Sequence, residues 1–240
     1  MKLTSIIETE YSNISEIHEV SLKTKDSKIR KQMNEMYLIC NKSCVGKFGP
    51  SHDFKLVLNI IKDAKISYTN EDITAFCFDL LNYEDPYCLS YAGIFLSALI
   101  RSHQEKRADK QTYTLYTEHL SKYINYIGQD NVQSEIIIKG HVGFVGNKMI
   151  SGAINALGEA LYNGGNEMKG GKLTVQSAGI IFGSFAEGGE LFVTGDAGAN
   201  VGFFLNGAHI ELNQSYSSIS PNMQKGKITH QGKVIFNKEE

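Results

Sequence analysis

The run NGGNEMKGGKLTV, Asn163 to Val175, sets four glycines around two lysines just ahead of a strand-like segment, the composition of a phosphate-binding loop. A Walker A loop requires GxxxxGK followed by Ser or Thr, because glycine amides wrap the phosphates, the lysine reaches them and the hydroxyl holds magnesium. Counting from Lys172, the leading glycine position holds Asn166 and the hydroxyl position holds Leu173. Both requirements fail, so nucleotide binding is not assigned. Cys40 and Cys44 near His52 come closest to a metal cluster, yet CxxxC without a second pair is a weak zinc pattern. Both cysteines also continue an apolar helical stripe through Ile29, Met33, Met36 and Tyr37, and Cys77 falls on another, so the thiols read as buried and reduced. His119 sits beside a further stripe and reads as a packing or surface residue rather than a catalyst. No nucleophile and base share a usable spacing. Catalytic, cofactor-binding and metal residues are therefore not assigned, and no cofactor is expected.

The elements that would position any site divide by glycine content. Four of the 23 glycines fall in residues 1–130 and nineteen in 131–240, which marks a change of architecture between Gln129 and Gln133. The expected division is a mainly helical domain over 1–130, a repeat over 134–235 and a tail over 236–240. At 240 residues the chain is long enough to bury a substantial core. Its formal charge of −2 is spread evenly, so neither nucleic acid nor an anionic membrane is expected as a partner. MKLTSIIETEYSN lacks the apolar run of a signal peptide, and Leu89 to Ile100 is too short for a membrane span, so a cytoplasmic protein is expected.

In the first part, apolar residues recur at helical spacing: Ile29 to Cys40, then Phe54, Val57, Leu58 and Ile61, then Ile73, Phe76, Cys77 and Leu80. Asn70 ahead of Glu71 and Asp72, and Asp85 ahead of Pro86, predict helix starts. The segment from Pro86 to Gln104 is apolar on nearly all sides and predicts a central helix, with Ala92 and Gly93 small enough for close contact. Tyr116, Leu120, Tyr123, Ile124 and Ile127 predict a last amphipathic helix stopped by Gly128. Residues 1–24 read as either a strand or a frayed helix.

The second part repeats. Apolar pairs at i and i+2 recur as Ile136 with Ile138, Ile154 with Ala156, Leu173 with Val175, Leu191 with Val193, and Ile210 with Leu212, at steps of 18, 19, 18 and 19 residues. Gly146, Gly165, Gly183 and Gly202 keep the same phase, and a degraded fifth unit shows in Met223, Gly226 and Ile228. Short apolar pairs between glycine corners describe a chain coiling with flat strands stacked on equivalents above and below. The predicted fold class is thus α+β: an N-terminal α-helical domain, then a single-stranded right-handed β-helix of about five turns of 18–19 residues. Gly164, Gly165, Gly170 and Gly171 become corners of one coil, and Lys172 a solvent-facing residue.

Two other solenoids compete for this period. Eighteen residues is three hexapeptides, as in left-handed acyltransferase helices, but six-residue phasing from Leu191 meets Ala197, Phe203 and His209 with no aliphatic row. A pectate-lyase-like solenoid needs stacked acids beside a basic residue. The register offers only a column of His141, Glu159, Ser177 and Asp196, which reads as corner residues hydrogen-bonding their own turns.

Gly188 to Leu212 and Gly170 to Val193 resemble the GXGXG-type right-handed β-helix that forms the C-terminal domain of the glutamate synthase large subunit and recurs in formylmethanofuran dehydrogenase. The likeness rests on the GDAGxxxG core, Gly195, Asp196, Ala197, Gly198 and Gly202, with the GG-x-I/L-x-V closure, and covers about residues 134–235. It implies a structural role, packing against and spacing catalytic parts. The chain has no counterpart to the glutaminase or flavin-binding portions. The expected function is a non-catalytic scaffold or interaction protein with a helical cap, engaging a protein partner or itself; the alternative is a subunit of a redox or amidotransferase-type complex.

Overall fold

The computed structural model describes residues 28–44, 50–83 and 86–238. Four helices come first: α1 (Lys28–Cys44), α2 (Pro50–Ala64), α3 (Asn70–Asp79) and α4 (Pro86–Gln104). Their expected stripes face one core, where Met33, Tyr37, Phe76, Phe95 and Leu99 are fully buried. Tyr37 packs edge-on against Phe76 at 5.4 Å between ring centroids. Buried Arg30 of α1 pairs with Asp79 at the end of α3, and Asn34 Nδ2 donates to the same carboxylate at 2.8 Å. The cap of α3 is Thr69 rather than Asn70: its hydroxyl accepts from Asp72 N, and Asp72 Oδ2 accepts from Thr69 N at 2.9 Å, a reciprocal capping box. Residues 1–24 and Asp85 lie outside the described residues.

Eight strands then form one sheet in chain order: β1 (Thr112–Tyr116), β2 (Glu135–Lys139), β3 (Ala153–Tyr162), β4 (Lys172–Ile180), β5 (Glu190–Val193), β6 (Asn206–Leu212), β7 (Lys225–His230) and β8 (Lys233–Lys238). Every pairing from β1 to β7 is parallel between consecutive strands, which is the topology of a solenoid. The register stacks Tyr113, Ile136, Ile154, Leu173, Leu191, Ile210 and Ile228 in one column, and each is buried. Ile228 under Ile210 places the degraded fifth unit where its spacing predicts. Each such side chain withdrawn from water is worth about 1.5–3 kcal/mol, and no coil could realise this alone.

Left-handed backbone recurs in every coil, at two glycine positions among others. Gly128, Gly146, Gly165, Gly183 and Gly202 hold φ between +66° and +77°, and Gly152, Gly171 and Gly189 hold +86° to +89°. The opening glycines are therefore corners or close approaches: a Cβ on Gly164 would lie 2.8 Å from the Phe182 ring, and one on Gly170 would lie 2.7 Å from Ile150 O. Lys172 is exposed, its Nζ 4.4 Å from the centroid of the Phe192 ring.

The helix expected from Tyr116 to Ile127 does not form. Tyr116 ends β1, while Ile124 bridges Val142 and Ile127 bridges Val145 in the next coil. A corner turns both members of a three-residue step inward, as Val142 and Val145 show, so this first coil mimics helical spacing. The stack accordingly begins at Thr112, not at 134, and the boundary expected between Gln129 and Gln133 falls inside a coil. Residues 236–238, expected as tail, belong to β8, which turns back antiparallel on β7.

The helices cover the open edge of β1. Carbonyls alternate sides along a strand, and Gln111 O faces β2, where it accepts from Glu135 N, so those of Thr112 and Thr114 face outward. Asn70 Nδ2 donates to Thr112 O at 3.0 Å and Thr74 Oγ1 donates to Thr114 O at 2.8 Å. Two side chains of α3 thus replace a missing strand. Below them α4 docks on the first coil: Gly93 lies against Asn125, and Ser97 Oγ accepts from Gly128 N at 2.8 Å.

Near the end of α4, His103 is buried, with Nδ1 2.8 Å from Tyr113 Oη and its ring stacked on Tyr68. Burial, then Arg107 and Lys106, push its pKa down to about 4 from 6.5. The folded state holds this imidazole neutral while the unfolded chain protonates it below about 6.5, so acid favours unfolding between these values. Denaturant midpoints measured at pH 7 and pH 4.5 should fall in acid, and His103→Gln should make that fall smaller; an unchanged pH dependence in the variant would exclude His103 as its source.

Candidate functional site

Outward positions of the solenoid form rows because each coil repeats the last. The polar row is aligned as the sequence predicts: Glu159 pairs with Ser177, and the bridges Val142 to Ala160 and Ala178 to Ala197 set His141 beside Glu159 and Ser177 beside Asp196. The same register adds Tyr123 above and Ser215 below. Asp196 Oδ1 accepts from Ser215 Oγ at 2.6 Å and from Ser215 N at 3.2 Å. His141 Nδ1 accepts from Glu159 N at 3.1 Å, which places the ring proton of a neutral imidazole on Nε2. These bonds tie a corner to the adjacent coil rather than to its own turn, as a stacking device would.

A groove of about 350 Å³ opens beside this row, lined by Glu118, Lys139, His141, Leu157 and Gln176 among others. Lys139 Nζ donates to Tyr116 Oη at 3.2 Å and lies over its ring. Ser177 and His141 stand two rungs apart, about 10 Å at the strand spacing, too far for a base to activate a hydroxyl. The row thus contains no Ser–His pair.

No group of three metal-ligating side chains occurs among the described residues. Cys40 is buried in the α1 core; the side chain of Cys44 lies outside the described residues. Burial pushes the Cys77 thiol up to about 12, leaving it without the thiolate a nucleophile needs. His119 stands in the first coil rather than on a helix. Its Nε2 donates to Cys77 O at 3.1 Å, its ring packs on Phe78, and burial lowers its pKa, consistent with a packing residue.

Two rows escaped the sequence reading. One is an amide ladder through the corners: Gln129 Oε1 accepts from Asn147 Nδ2, Asn147 Oδ1 from Asn166 Nδ2 at 2.6 Å, and Asn166 Oδ1 from Ser184 Oγ at 2.8 Å. Gln129, Asn147 and Ser184 are buried, so each rung satisfies the next where water cannot. The signal was present, since each residue follows a corner glycine of the repeat.

The other row is apolar and faces outward. Tyr126 stacks on Phe144 at 5.0 Å, Phe144 meets Tyr162 at a tilt with ring centroids 5.8 Å apart, and Tyr162 pairs with Ile180 in register. The four residues are spaced by the repeat period. Tyr162 and Ile180 are 46% and 49% exposed, so the row widens from a half-buried start beside α4 to open surface. Contiguous exposed apolar surface is uncommon on folded chains and recurs at sites of interaction. No protein-family model matches the chain, and no curated protein and no solved structure matches it. No helix among the described residues is long and apolar enough to cross a membrane.

Proposed function

We propose that the chain is a non-catalytic scaffold that binds a protein partner along its solenoid, a right-handed β-helix of the GXGXG type working in the cytoplasm. The observation that carries this reading is the outward row Tyr126, Phe144, Tyr162 and Ile180, repeated rung by rung on a rigid stack. Right-handed winding is the general preference of parallel strand connections. The resemblance of Gly188 to Leu212 to GXGXG domains supports the same role, since those domains space the catalytic parts of larger enzymes. The occupant is a polypeptide presenting an extended apolar strip, which buries aromatic anchors as interface centres do.

Affinity capture on the full chain, followed by mass spectrometry, tests this reading when paired with the double variant Tyr162→Asp and Ile180→Asp. The expected result is one stoichiometric partner lost from the variant while its melting curve stays that of the parent. Equal capture by both proteins, or none by either, overturns it. The GDAGxxxG core, Gly195 to Gly198 with Gly202, also favours membership of a redox or amidotransferase-type complex. A captured partner carrying flavin, molybdopterin or an iron–sulfur cluster would select that form.

A further inference from the structure

The connection between α2 and α3 meets the end of α4 around a cleft of about 380 Å³, lined by Ser67, Tyr68, His103, Lys106 and Arg107. This volume suits a small metabolite. Two lining residues carry fixed positive charge, and neither is neutralised by an acid among the described residues. Nearby cations are: Lys62 and Arg101 both pair with Glu105, at 2.6 and 2.7 Å. Arg107 instead spends Nη1 on His103 O at 2.9 Å, which fixes the guanidinium at the cleft, and Lys106 Nζ lies 5.9 Å from the centroid of the Tyr68 ring. Glu71 is the acid that acts on His103, more weakly than Arg107 and Lys106 do.

Behind this rim stands His103, 3% exposed, clamped between the Tyr68 and Tyr113 rings. Its Nδ1 meets Tyr113 Oη; its Nε2 is buried and makes no well-aligned hydrogen bond, although the Tyr68 backbone is close enough to act on the ring. When Tyr113 donates to Nδ1, Nε2 carries a proton that lacks a well-aligned acceptor. A buried imidazole N–H just behind the rim, a guanidinium held by its own carbonyl contact and an ammonium with no acid partner among the described residues form a donor set suited to a tetrahedral oxyanion.

We propose that this cleft binds the phosphate group of a small phosphomonoester, with Arg107 and Lys106 as charge partners and His103 Nε2 as the buried donor. The site belongs to the helices and the first strand, so it stands or falls independently of the scaffold reading of the solenoid. Calorimetry on the full chain with inorganic phosphate, glucose 6-phosphate and succinate as probes, together with imidazole nitrogen spectra of His103, tests it. Expected are saturable binding of both phosphates, glucose 6-phosphate the tighter, a shift of the His103 Nε2 resonance, and succinate at least tenfold weaker. Arg107→Ala should weaken phosphate binding tenfold or more, Arg107→Lys less, and Lys106→Ala should also weaken it. Lys148→Ala, at a half-buried lysine paired with Glu167 on a corner of the solenoid, should leave it unchanged. Absence of saturable binding by either phosphate in the parent chain, or full binding by both alanine variants, would overturn the assignment.

Discussion

Gly183→Val is expected to unfold the solenoid at temperatures where the parent chain is native. The residue holds φ +72°, a region a β-branched side chain hardly enters, and the strain costs about 1–3 kcal/mol. A Cβ there would lie 2.5 Å from Ile210 Cδ1, a fully buried side chain, and overpacking adds about 1–3 kcal/mol. Together these approach the whole stability of an ordinary domain. Gly202→Val repeats the strain at φ +73° with looser contacts near 3.0 Å, so it should be milder. Lys172→Ala removes only an exposed cation–π contact, worth about 0.5–1 kcal/mol. Thermal melts should rank the three in that order, and a Lys172 variant melting below the Gly183 variant would contradict the register.

The second large effect is expected at Gly93→Val. Its Cβ would come within 1.9 Å of Asn125 O and 2.8 Å of Asn125 C, backbone atoms that cannot step aside as a side-chain tip can. Helix α4 must therefore withdraw from the first coil, breaking the bond from Gly128 N to Ser97 Oγ and loosening the helices over β1. The cost is expected at about 2–4 kcal/mol. Hydrogen exchange separates this from general unfolding: protection should be lost first in Thr112–Tyr116 and Glu135–Lys139, with β4 to β6 still protected. Uniform loss across all strands would show that the helices do not act as a separate cap.

The stacking was legible because one physical demand repeats in phase. Wherever Ile154, Leu173, Leu191 and Ile210 recur, a corner glycine recurs with them, and no local preference competes. The first coil misleads for the opposite reason. Ile124 and Ile127 obey a helical step, only Gly128 marks a corner, and the decisive contacts with Val142 and Val145 are long-range. The helices were legible from their stripes, although Thr69 rather than Asn70 caps α3 because Asp72 can answer it three residues on. The apolar row was hidden by mixed chemistry: Tyr126, Phe144, Tyr162 and Ile180 share a period but no residue type. The cleft at His103 could not be foreseen, since Tyr68, His103 and Tyr113 meet only where the connection between α2 and α3 packs against α4 and β1.

The reversal of β8 fixes where the molecule can grow. An added unit after Lys238 would meet a strand running the wrong way, and one before Thr112 would collide with Asn70 and Thr74. Duplication of a middle unit meets neither obstacle and would lengthen the body by one strand spacing, about 4.8 Å. The two ends thus fix the number of coils in the stack, which can change only from within.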